Sequence, residues 1–187
     1  MKLHKLFAIV GPSGAGKTTL VNSVFDYDHQ LVSFTTREPR KNEIDGQDYY
    51  FLTKKNVQEM KDNYEIAELV EYNSNYYGYT KNEINEKLGQ HDCAAVVTVG
   101  GYKTLKRLIG ADYVIPVFVY TNRENILKHM QNRIGLDTQE NINKRLELYK
   151  TEMNNLSYFR HEHAILHDNS GLTVEQSINK FKKELNL

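Results

Sequence analysis

Three apolar runs stand out along an otherwise mixed chain. Leu6 to Val10 is continuous, of strand length and followed by Gly11, the pattern of a strand buried on both faces of a parallel sheet. Ala94 to Val99 is the second run and is ended by Gly100-Gly101. In the third, Tyr113 to Tyr120, the positions Ile115, Val117 and Val119 alternate, and Pro116 predicts an edge strand or a bend. Between the runs the apolar residues change to helical spacing: Leu20, Val21 and Val24 after the first glycine-rich turn, Tyr102, Leu105, Leu108 and Ile109 after the second. Strands alternating with helices predict an α/β fold, a parallel sheet flanked by helices. Near the C-terminal end Thr173 and Gln176 form a capping box, and Val174, Ile178, Phe181 and Leu185 fall on one helical face expected to lie on the sheet.

Two stretches depart from that alternation. Residues 33–80 are rich in tyrosine, charge and turn signals (Asp45-Gly46, Asn73-Ser74-Asn75), with a short helical piece after Thr53 that carries Val57 and Met60. They read as an inserted, substrate-facing subdomain. Residues 122–158 are polar and helical, broken at Ile134-Gly135 and capped again at Asp137, three residues before Glu140; this is the composition of a helix-turn-helix lid. No internal repeat or Pro/Gly/Ser linker marks a second domain. The expected organisation is one domain over 1–187, with its core in 1–32, 81–121 and 159–187.

Composition narrows the partners. Lys plus Arg and Asp plus Glu both total 24, so the whole chain carries no electrostatic footprint for nucleic acid. The basic start and the apolar run behind it are too short for a secretory signal or a membrane span. Cys93 is the single cysteine and sits in an apolar run, which reads as a buried, inert thiol. A cytoplasmic chain with no membrane or nucleic-acid partner is expected, of unknown oligomeric state. His161, His163 and His167 beside Glu162 lack metal-ligand spacing and read as a solvated connection into the strand Ala164-Ile165-Leu166.

The chemistry is concentrated in Gly11-Pro12-Ser13-Gly14-Ala15-Gly16-Lys17-Thr18, a complete G-x-x-x-x-G-K-[ST] phosphate loop between a predicted strand and a predicted helix. The glycines let Ser13, Gly14, Ala15 and Gly16 turn their N–H groups toward phosphate oxygens, and the helix N-terminus adds positive potential. Lys17 is placed to reach the outer phosphates, the Thr18 hydroxyl to ligate Mg2+, and Thr19 to close the helix start. ATP is the expected co-substrate. Such loops also occur in GTPases, motors and transporters, so the acceptor side must decide between these classes.

On that side Arg37 and Arg40, three residues apart, offer two guanidinium forks to a single phosphate. They belong to the run Ser33 to Arg40, followed by Glu43-Ile44-Asp45-Gly46-Gln47-Asp48-Tyr49-Tyr50-Phe51. Together these resemble the signature of guanylate kinases. The resemblance continues through Glu68, Asn75-Tyr76-Tyr77-Gly78, Arg133-Ile134-Gly135, Asn143-Lys144-Arg145-Leu146 and the final helix.

It implies a kinase that moves the γ-phosphoryl group of ATP onto GMP or dGMP, with 33–80 as the monophosphate-binding subdomain and 122–158 as the lid. It also implies that Tyr49 and Tyr77 join Arg37 and Arg40 on the acceptor phosphate, and that Glu68 and Ser33 read guanine. Lys17, Arg37 and two lid arginines, Arg133 and Arg145, are implied as the catalytic cations. The chain departs from the family at Val96-Val97-Thr98, where an Asp-x-Asp is usual, and at Tyr79, where a small hydroxyl residue is usual and where Thr80 is the candidate substitute. His129 replaces a lid arginine, and His167-Asp168 stands for an Asn-Asp. Two alternatives stay open: a binding module of this fold without catalysis, and a kinase for another acceptor, such as a different monophosphate or ribose 1,5-bisphosphate.

Overall fold

The computed structural model describes the backbone of residues 4–131 and 139–187, and the side chains of residues 4–127 and 146–187. In chain order the elements are β1 (Leu6–Val10), α1 (Lys17–Val24), β2 (Phe34–Thr35), β3 (Tyr50–Phe51), α2 (Lys54–Asp62), β4 (Ile66–Tyr72), β5 (Asn75–Thr80), α3 (Lys81–Leu88), β6 (Cys93–Val96), α4 (Val99–Ile109), β7 (Val114–Tyr120), α5 (Arg123–Gln131), α6 (Gln139–Met153), α7 (Asn155–His161), β8 (Ile165–Asp168) and α8 (Val174–Leu185). The strands form two four-stranded sheets, ordered β6-β1-β7-β8 and β3-β2-β5-β4. The architecture is the α/β one expected, a parallel sheet flanked by helices. By compactness the chain divides into Met1–Phe7, Phe25–Ala95 and Gly100–Val114 as one unit, and Ala8–Val24, Val96–Val99 and Ile115–Leu187 as the other.

The first unit contains the whole β3-β2-β5-β4 sheet. β4 and β5 form an antiparallel hairpin with Glu68 opposite Tyr79 and Val70 opposite Tyr77, and β2 adds to β5 with Phe34 opposite Gly78. A Cβ at Gly78 would lie 2.0 Å from the Glu68 carbonyl oxygen and 2.7 Å from the Phe34 ring, so only glycine allows this approach. α2 begins at the capping box of Thr53 with Asn56, and Thr80 caps α3 by accepting from the Glu83 N–H. Buried Phe34, Val57, Ile84, Leu88, Tyr102 and Leu105 form the apolar interior.

In the second unit β7 and β8 run parallel, Val117 opposite Ile165 through Tyr120 opposite Asp168. Pro116 lies in an interior strand, not at an edge; it precedes the first position paired with β8, so its missing N–H removes no bond on that side. β6 stops at Val96 and α4 starts at Val99, so Gly100-Gly101 lie in the first helical turn instead of ending a strand. Hydrophobicity alone does not separate a buried strand from the start of a buried helix. The capping box of Thr173 with Gln176 forms as expected, but the buried face of α8 is Ser177, Phe181 and Leu185, while Val174 is 64% exposed. A serine belongs to that face because its hydroxyl meets a buried histidine.

Candidate active site

The phosphate loop follows directly from β1. Gly11 has a left-handed backbone, and a Cβ there would stand 1.9 Å from the Val119 carbonyl oxygen, so the loop leaves the sheet against β7 only because residue 11 has no side chain. Gly14 and Gly16 also have positive φ, which turns successive N–H groups the same way. Asn169, just past β8, donates to the Ala15 carbonyl at 3.0 Å and fixes the loop from its far side. Lys17 folds its ammonium onto the carbonyls of Gly11 (2.7 Å) and Pro12 (2.8 Å). The Ser13 N–H donates to a Glu152 carboxylate oxygen at 3.0 Å, so a protein anion rests on a donor suited to phosphate. Ser13, Thr18 and Thr19 are exposed at the mouth of a cavity of about 420 Å³, whose other wall comes from Leu172, Thr173, Val174, Ser177 and Ile178.

The acceptor candidates gather on one face of the β3-β2-β5-β4 sheet. Alternation along β5 and its cross-strand partners puts Thr35, Glu68, Tyr77 and Tyr79 on that face, and Phe34, Leu69, Gly78 and Thr80 on the other. Tyr49 and Tyr77 meet edge to face at 6.2 Å. The Arg37 guanidinium lies over the rings of Tyr49 (5.3 Å) and Phe51 (5.9 Å). Ser33 hydrogen-bonds Tyr79, and burial first, then the neighbouring Glu68, raises the Tyr79 phenol above its ordinary value. Glu68 is 8% exposed, whereas Glu65 and Glu71 on the same hairpin are exposed. Thr80 is separated from this set, facing the opposite side as the α3 cap.

Arg37 has a partner that the sequence reading did not single out. Glu43 receives both its terminal nitrogens, NH1 and NH2 at 2.9 Å each, and also accepts from the Arg40 N–H at 2.7 Å. The fork holds the Glu43 carboxyl below the usual range and raises Arg37 further. The side chains of Arg37 and Glu43 are 18% and 15% exposed, while Arg40 projects at 72% with its guanidinium 3.8 Å from Glu43. A carboxylate three residues after the second of two closely spaced arginines was the available signal.

Arg133 lies outside the described residues; Arg145 and His129 are placed on α6 and α5 by their backbones, with side chains outside the described set. Thr98 is exposed between β6 and α4. The histidine group is split: His161 and His163 are exposed as expected, but His167 is fully buried in β8 between Glu184 and Ser177, because its two nitrogens find partners there.

Residues 3–186 match the family model described as guanylate kinase. The chain belongs to the guanylate kinase family. It is 33% identical over 178 residues to a guanylate kinase of Lactococcus lactis subsp. lactis, spanning 91% of this chain and 83% of the relative. It is 30% identical over 189 residues to one from Carboxydothermus hydrogenoformans, at 98% and 89% coverage. The crystal structure of guanylate kinase from Anaplasma phagocytophilum shares the fold, with a TM-score of 0.65 at 17% identity over 100% of this chain and 86% of that one. This guanylate kinase family member is therefore a nucleotide kinase, and its complete phosphate loop is the part of the family chemistry most directly visible in its residues.

Proposed function

We propose that the chain transfers the γ-phosphoryl group of ATP to GMP or dGMP, giving ADP and GDP or dGDP. The observation that carries this reading is the grouping of Ser33, Glu68, Tyr49, Tyr77 and Arg37 on one sheet face. A carboxylate beside a hydroxyl pair suits guanine, which offers N1–H and its 2-amino group side by side and O6 next to them. The arginine and tyrosines at the other end suit the phosphate of the same nucleotide.

Ser13 to Gly16 would hold the β- and γ-phosphates of ATP by their N–H groups, with Lys17 leaving its carbonyls for the phosphate oxygens. Thr18 supplies a hard hydroxyl oxygen at the first turn of α1, which fits a Mg2+ bound mainly through nucleotide phosphates and water, and no group of three acidic, histidine or cysteine side chains among the described residues forms a rival metal cage. Bound there, the metal offsets phosphate charge. The acceptor oxygen is already anionic near neutral pH, so Arg37 and the lid cations Arg133 and Arg145 would act by position and charge with no strong base. In this reading 33–80 is the monophosphate subdomain and 122–158 a lid that excludes water. Among the described residues no helix is long and apolar enough to cross a membrane, and burial pushes the Cys93 thiol up to about 12; the proposed setting is the cytoplasm.

The test is ADP production from magnesium-ATP with GMP, dGMP, AMP, CMP, UMP, dTMP and ribose 1,5-bisphosphate, with Lys17→Ala as control. Selective turnover of GMP or dGMP supports the reading. Preference for another acceptor refutes the guanine assignment, and nucleotide binding without Lys17-dependent turnover with any acceptor points to a binding module.

A further inference from the structure

Behind the acceptor face a carboxylate ties three elements together. Glu83, in the first turn of α3, is 6% exposed. Its Oε1 accepts from the Val32 N–H at 2.9 Å, and its Oε2 from the Tyr50 hydroxyl at 3.0 Å. The Tyr50 N–H donates in turn to the Ser33 carbonyl at 3.0 Å. These bonds close a ring that runs from α3 to the residues leading into β2, across to β3 and back to α3.

Each residue that Glu83 holds is the chain neighbour of an acceptor candidate: Val32 precedes Ser33, and Tyr50 follows Tyr49. Tyr50 pairs with Phe34 on the reverse face of the sheet, so a bond made to it there sets where Tyr49 stands on the front. β3 is a two-residue edge strand, joined to β2 by the N–H groups of Tyr50 and Leu52, and so short a parallel pairing holds its own register weakly. Packing does not fix it either, because Phe34, Tyr50, Leu52, Met60, Thr80 and Glu83 line a cavity of about 840 Å³ on the reverse side. A buried carboxylate is a costly way to attach a helix to a sheet, since apolar side chains do so without desolvating a charge. Its two oxygens hold two strands at a set offset, which apolar contacts do not.

On the reading of this sheet face as the acceptor site, we propose that Glu83 is a positioning residue for the acceptor nucleotide: through Val32 and Tyr50 it sets the offset between Ser33 at the base end and Tyr49 at the phosphate end. Neither Glu83 nor Tyr50 touches the nucleotide. With the link cut, Tyr49 drifts relative to Ser33, and a ligand that spans both meets only one of them well at a time. The phosphate loop belongs to the other unit and keeps its geometry.

The experiment is calorimetric titration of GMP beside the kinetics of ADP production from magnesium-ATP and GMP, with thermal melts to check that each variant is folded. Tyr50→Phe, which removes one hydroxyl behind the sheet, should weaken GMP binding and raise the GMP KM about fivefold, the scale of one net hydrogen bond, with the ATP KM within about twofold of the wild type. Glu83→Ala should raise the GMP KM about tenfold, and adding Tyr50→Phe to it should bring little further loss, because both act through one link. Glu83→Gln keeps an oxygen for the Val32 N–H and an amide that can donate to the Tyr50 oxygen, so it should stay within about twofold of the wild type. A purely structural role would lower the melting temperature and the active fraction without moving the GMP KM. An unmoved GMP affinity and KM in folded Tyr50→Phe, or a Glu83→Gln variant no better than Glu83→Ala, overturns the proposal. Weakened GMP binding in Tyr50→Phe and Glu83→Ala with no phosphoryl transfer by any form would sink the proposed function alone; transfer at an unmoved GMP KM would sink this inference alone, and no GMP binding by the wild type would end both.

Discussion

The two regions proposed to bind phosphate both carry a protein carboxylate, but they hold it differently. On the donor side the Glu152 carboxylate accepts from the N–H of exposed Ser13, its one side-chain hydrogen bond among the described residues. On the acceptor side Glu43 takes both terminal nitrogens of Arg37 and the Arg40 N–H, with both side chains largely screened from water. A one-pronged contact to a loop is easily exchanged for a phosphate, whereas a two-pronged guanidinium pair fixes a geometry and is costly to break. In the proposed function Glu152 would be a placeholder and Glu43 a support: a backbone cradle is already formed by its glycines, while a flexible arginine needs something to aim it.

The largest effect that would test this contrast is on Lys17. Lys17→Ala should lower kcat by about 100-fold or more, the scale of losing a charge aimed at the transferring group, with the loop fold kept as judged by melting. Next is Arg37→Lys: a point charge cannot keep both Glu43 contacts, so acceptor kcat/KM should fall about 100-fold despite the unchanged charge. Glu43→Gln should raise the acceptor KM roughly tenfold and leave the ATP KM in place, since it loosens the support of Arg37 alone. A fall in acceptor KM would make Glu43 a placeholder too and erase the contrast. Glu152→Gln should change the ATP KM by about twofold, downward, because the anion it removes is a weak competitor.

The smallest effect concerns stability. The folded pKa of His167 lies below its ordinary 6.5. As the pH falls below about 6.5 the unfolded chain therefore binds a proton that the folded chain resists, and stability falls until the folded-state value is passed. His167→Gln should flatten that part of the melting-temperature profile between pH 7 and 5.

The sequence reveals the donor half of the site better than the acceptor half. Gly11 to Thr18 specify their own conformation, because the glycine positions, lysine and hydroxyl act within one local turn. Arg37 and Arg40 were visible as a pair, but Glu43 was seen only as part of a motif, since its role depends on the return of the chain at Arg40. Tyr79 looked like a departure; its place opposite Glu68 and against Ser33 follows from the β4/β5 register, which a single sequence does not print. The buried His167 was read as solvated because its partners, Ser177 and Glu184, lie on a helix 10 and 17 residues away. On α8, Phe181 and Leu185 are buried as their spacing predicts, while Val174 is exposed and Ser177 joins the buried face, a serine counting as polar until its partner is known.

Gly11 and Gly78 bring a different consequence. One sits beneath the donor loop and the other within the acceptor hairpin, and at each an added methyl group would collide with a main-chain oxygen at about the length of a covalent bond and a half. Main chain does not step aside as a side chain does. In a library of random variants selected for growth on this enzyme's activity, these two codons should therefore stay nearly monochrome, alanine included among the missing, while the arginines and tyrosines proposed to bind the acceptor tolerate partial replacements with graded loss.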